Sequence, residues 1–91
     1  MEIDINSFSR KYGLVSETFQ ARDRRIRLTV ANGEPAFEDS REYVVITGSP
    51  LLYPLESGKW ALVTSKSTTR FNADGGAGAV DRAKRILVDN E

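Results

Sequence analysis

Residues 58–90, GKWALVTSKSTTRFNADGGAGAVDRAKRILVDN, pass from one hydrophobic period to another. Trp60, Leu62 and Thr64 recur at every second position, while Val80, Ala83, Ile86 and Leu87 recur at helical spacing. A period of 2 belongs to a pleated strand and a period of 3.6 to a helix, so a sheet segment gives way here to the helix that covers it. The expected elements are a strand from Lys59 to Ser65, a turn at Lys66-Ser67, a short return strand from Thr68 to Phe71, and a helix from Ala79 to Asp89. Asn72-Ala73-Asp74-Gly75-Gly76-Ala77-Gly78 joins them as a hinge, since Asx turns and glycines supply left-handed angles. This hinge should let Val80, Ala83 and Leu87 face Trp60 and Leu62, and a Gly76→Val change should cost stability.

Towards the amino terminus, Ile5, Phe8 and Tyr12 form one apolar stripe of a short helix that Asp4 or Asn6 can cap and Gly13 can end. Residues 15–21 are rich in strand formers, and Arg22-Asp23-Arg24 follows as a turn. Ile26, Leu28 and Val30 then alternate with Arg25, Arg27 and Thr29, giving a strand with one apolar and one basic, hydroxylated face. Asn32-Gly33 and Pro35 suggest a short edge pairing or a loop over 32–41, locally acidic through Glu34, Glu38 and Asp39. The β-branched run Tyr43-Val44-Val45-Ile46-Thr47 reads as a central strand ended by Gly48-Ser49-Pro50. Leu51-Leu52-Tyr53-Pro54-Leu55 is interrupted by proline and reads as a loop packed over the core or as an exposed apolar patch.

The expected fold is one α+β domain over residues 1–91: a four- to five-stranded, mainly antiparallel sheet with an N-terminal and a C-terminal helix packed on one face. Its element order is α-β-β-β-β-(β)-α. A chain of 91 residues has little apolar surface to spare for a second core.

Composition narrows the chemistry. Thirteen basic and thirteen acidic side chains cancel, so no net field draws the chain to nucleic acid or to an anionic membrane. Cysteine and histidine are both absent, which removes disulfides, thiolate nucleophiles, the usual zinc ligands and the side chain best suited to proton transfer near neutral pH. The acidic start Met1-Glu2-Ile3-Asp4 is unlike a secretory signal and no apolar run has the length of a membrane span, so a cytoplasmic protein is expected.

Several fragments imitate ligand sites, and each breaks at a named residue. Ser57-Gly58-Lys59-Trp60 lacks the phosphate-loop glycine, where Tyr53 stands, and the hydroxyl, where Trp60 stands. Gly76-Ala77-Gly78-Ala79-Val80-Asp81 puts a carboxylate where a dinucleotide site needs its third glycine. A calcium loop aligned on Asn72, Asp74, Gly75 and Asp81 would take Arg70 as its first ligand. No cofactor and no metal are expected, and no catalytic residue is assigned.

The remaining signals concern binding. The leading expectation is a non-enzymatic protein-interaction module, an accessory, adaptor or inhibitor protein of prokaryotic, viral or phage setting. Arg22, Arg24, Arg25, Arg27, Leu51, Leu52, Tyr53 and Leu55 are its candidate partner-binding residues. The expected partner is another protein, with a homodimer through a sheet edge as a further form and no membrane partner. The alternative is nucleic-acid binding through an arginine-rich hairpin, with Arg25, Arg27, Lys59, Lys66 and Arg70 as the phosphate-contacting patch. Against it, these arginines could simply pair with acids such as Glu17 and Glu42, and no aromatic residue alternates with Arg25 and Arg27 to stack on bases. A small enzyme without histidine or cysteine chemistry ranks third.

Overall fold

The computed structural model describes residues 3 to 89. In chain order the elements are α1 (Ile5–Tyr12), β1 (Val15–Ala21), β2 (Arg24–Val30), α2 (Phe37–Thr47), β3 (Leu51–Pro54), β4 (Lys59–Val63), β5 (Thr68–Asn72) and α3 (Gly76–Asp89). The strands form one five-stranded sheet in the order β1-β2-β3-β4-β5. Every neighbouring pair is antiparallel except β2 and β3. Two parallel neighbours cannot be joined by a hairpin, and α2 is the crossover that carries the chain back to start β3 beside β2.

Local chemistry accounts for most boundaries. The Asp4 carboxylate accepts from the Asn6 amide at 3.1 Å and from the Ser7 hydroxyl at 2.9 Å, and these bonds hold its pKa below the ordinary value. Gly13, at φ 58°, closes α1 by donating to the Ser9 carbonyl. The β1–β2 hairpin turns on Arg22 and Asp23, with Arg22 held at φ 59°. Gly48, at φ 73°, closes α2 with its amide on the Val44 carbonyl.

The sheet is covered on both faces. Phe8 and Tyr12 of α1 and Tyr43 and Val44 of α2 pack with Ala31 on Leu51, Tyr53, Ala61 and Val63. The Phe8 ring joins the two helices, its centroid 4.7 Å from that of Tyr12 and 4.9 Å from that of Tyr43. On the opposite face Ala79, Ala83 and Leu87 of α3 pack on Ile26, Leu28, Leu52, Leu62 and Phe71, with Trp60 at the margin. The small Ala79 and Ala83 let α3 lie close to the sheet.

The α+β class, the mainly antiparallel five-stranded sheet and the two terminal helices agree with expectation; the middle of the chain does not. Residues 43–47 are the end of α2 rather than a central strand, and the expected loop at 32–41 contains its first turn. Residues 51–54 are the central strand, not a loop. Tyr43 and Val44 are buried whereas Val45 is 74% exposed, a helical arrangement that strict alternation would not give. The terminal helices lie on opposite faces rather than sharing one. The closing helix also begins at Gly76, so part of the expected hinge is helical. Gly75 alone in that cluster has positive φ, at 91°, and a Cβ on Gly76 would meet nothing within 4 Å.

Two stability measurements check these assignments. Val44→Ala should cost roughly 2–3 kcal/mol in urea unfolding, whereas Val45→Ala should stay within about 0.5 kcal/mol, because only the first deletes buried methyls. Gly75→Ala should cost about 1–2 kcal/mol and Gly76→Ala should cost nothing or stabilise by up to ~1 kcal/mol, which replaces the expectation of a penalty at Gly76.

Candidate functional site

Two surface features result from this topology: the free edge of β1 and a cleft at the end of the sheet where β2 and β3 begin. The β2 hydrogen bonds define the first. Thr29 and Ala31 donate to the Pro50 and Leu52 carbonyls at 3.1 and 2.8 Å, so these residues direct their backbone groups towards β3. Alternate residues of a strand bond to opposite sides, so Ile26, Leu28 and Val30 bond to β1 through their partners Phe19, Glu17 and Val15. The N–H and C=O groups of Ser16, Thr18 and Gln20 therefore point out of the sheet.

Edge strands are commonly blunted by proline, lysine or a bulge. β1, with sequence VSETFQA, has neither residue, and its register with β2 runs unbroken from Val15↔Val30 to Ala21↔Arg24. Its one charge, Glu17, forms a salt bridge with Lys84 of α3. The Lys84 ammonium also lies 5.5 Å from the Phe19 ring centroid, so α3 holds β1 from one side through a charge and an aromatic face. Between the two elements runs a groove of about 510 Å³ lined by Phe19, Gln20, Asp81, Lys84, Arg85, Val88 and Asp89.

The cleft at the other feature has a volume of about 680 Å³. Arg24, Arg25 and Arg27 of β2 enter it with Lys66 of the β4–β5 turn, and its walls include Val44, Pro50, Ile86 and Leu87. The Thr64 hydroxyl shapes the turn that presents Lys66, accepting from the amides of Lys66 at 3.2 Å and Ser67 at 3.1 Å. No acidic side chain lines this cleft among the described residues.

The expected binding residues are therefore redistributed. Arg25, Arg27 and Lys66 converge, with Arg24 alongside, whereas Arg22 stands in the hairpin turn. Lys59 starts β4, at the opposite end from Lys66. Arg70 pairs with Ala61 and so shares the sheet face covered by α1 and α2. There it lies near Tyr53, whose phenol is pushed up by burial against the opposing effects of Ser40 and Arg70.

The Leu51–Leu55 segment is not an exposed patch. Leu51 and Leu52 are 0% exposed and Tyr53 3%, and Leu55 packs partly buried against the same core. Among the described residues the exposed large apolar side chains are instead Val15, Phe37, Val45 and Ile46. Reading Phe37 to Thr47 as a helix from its acidic first turn and its terminal Gly48 would have located three of them. Nor do the arginines pair with Glu17, which lies on the α3 side of the sheet and bonds Lys84 instead.

Among the described residues no group of three acidic side chains gathers to hold a metal ion. No helix among them is long and apolar enough to cross a membrane. No known protein family, curated protein or solved structure matches the chain.

Proposed function

We propose that this chain is a non-enzymatic protein-interaction module that takes an extended segment of another protein onto the free edge of β1. The observation that carries this reading is the outward row of backbone groups at Ser16, Thr18 and Gln20 on an edge with no proline, lysine or bulge. A strand added there exchanges about six backbone hydrogen bonds, each with a net value of roughly 0.5–1.5 kcal/mol. Association costs on the order of 4–15 kcal/mol, so main-chain pairing alone does not hold a partner. Side-chain contact in the groove beside Phe19 and Val88 has to supply the rest.

This requirement describes the partner. Its segment carries apolar side chains at alternate positions facing Phe19 and Val88, and polar ones beside Ser16, Thr18 and Gln20. A second copy of β1 meets the pattern in part. Antiparallel pairing about a dyad at Thr18 sets Ser16 opposite Gln20 and Glu17 opposite Phe19, with no like charges directly opposed. Homodimerisation is therefore the second reading of the same edge. The setting that fits is that of a small accessory, adaptor or inhibitor protein, prokaryotic or viral, working in the cytoplasm; the cysteine- and histidine-free sequence supports both that compartment and a role without catalysis.

Thr18→Pro tests the proposal because it removes a donor facing solvent and none facing β2. Peptides selected on the parent protein from a displayed library should alternate apolar and polar residues. They should lose binding to Thr18→Pro and to Thr18→Lys, while both variants keep the parent melting profile. Undiminished binding to the two variants would place the interaction elsewhere. Sedimentation of the parent as a dimer that the same substitutions dissociate would identify the occupant as a second copy.

A further inference from the structure

Among the described residues none of β1 lines the basic cleft, and we propose that this cleft binds a small molecule bearing one or more phosphates. Arg25 and Arg27 lie two residues apart on one strand face, about 7 Å along the chain, a spacing that brackets neighbouring phosphate groups. Lys66 approaches from the β4–β5 turn, with Ser65 and Ser67 lining the cleft on either side of it in sequence. Among the described residues Arg25, Arg27 and Lys66 enter no salt bridge, so their charges are available to a ligand. The carboxyl end of α2 contributes about half a negative charge, which these three cations exceed.

The geometry favours a compact ligand over a nucleic acid. A volume of about 680 Å³ suits a small molecule, as binding sites of this kind span roughly 300–1,000 Å³. Lys59 and Arg70 lie away from the cleft, so the basic residues form a focus and not a track along the sheet. No aromatic side chain lines the cleft to stack on a base. Guanidinium groups offer paired donors to phosphate oxygens, and the apolar wall at Pro50 and Ile86 can receive the uncharged body of the molecule.

Titration of isotope-labelled protein with inorganic triphosphate at low ionic strength tests the proposal. Saturable amide shifts should centre on Arg25, Arg27 and the Ser65–Ser67 turn, with a dissociation constant below about 1 mM. Arg25→Gln and Arg27→Gln, both on exposed side chains, should leave the melting profile unchanged and together weaken binding about tenfold or more. Ser16→Pro, on the same outward row but paired with Thr29 outside the cleft, should bind triphosphate as the parent does, which separates this site from the β1 edge. Absence of saturation, equal binding by the arginine variants, or tighter binding of an oligothymidylate of the same charge would each overturn the assignment.

Discussion

A strand buried on both faces must be covered on both, and β3 imposes that condition on the whole molecule. Leu51 and Leu52 are adjacent in sequence, point to opposite faces and are both 0% exposed. Leu51 requires α1 and α2 above it; Leu52 requires α3 below it. No arrangement with all the helices on one face could bury both. The parallel β2–β3 pair follows from the same need, because the chain must cross over the sheet through α2 to place this apolar segment at the centre.

The placement of β3 also determines what is left outside. With β3 central, β1 becomes an edge, and α3 reaches it only through Lys84 and its neighbours, so its outer backbone groups stay unpaired by the sheet. The ends of β2 and β3 and the β4–β5 turn meet below the carboxyl end of α2, which gathers Arg25, Arg27 and Lys66 into one cleft. The two surfaces are separate consequences of one burial requirement.

The parts of the fold legible in sequence were those with a clear period, including the Trp60–Leu62–Thr64 alternation that marks β4. Ile26, Leu28 and Val30 alternate with Arg25, Arg27 and Thr29, and β2 lies where that alternation places it. The Phe8–Tyr12 stripe and the Ala83–Leu87 stripe likewise mark α1 and α3. The middle failed for two physical reasons. Helix α2 buries only a narrow stripe of Ser40, Tyr43 and Val44 and exposes Val45 and Ile46, so its β-branched end resembles a strand. Strand β3 lacks alternation because both its faces are buried, and Pro54 argued against it although it sits at the strand's last position. The cationic residues were visible as a group, but their convergence depends on which strands are neighbours, and composition carries no information on that. The outward backbone row of β1 was equally hidden, since it depends on hydrogen-bond parity and not on side-chain type.

Proton–proton nuclear Overhauser effects distinguish the β2–α2–β3 crossover from a sheet with a strand at residues 43–47. The crossover requires cross-strand contacts linking Thr29 and Val30 with Leu51 and Leu52, together with an unbroken run of amide–amide contacts from Phe37 to Thr47. Extended-chain contacts through Tyr43 to Thr47, with those residues paired to β2 and the Leu51–Tyr53 amides exchanging at coil rates, would contradict it.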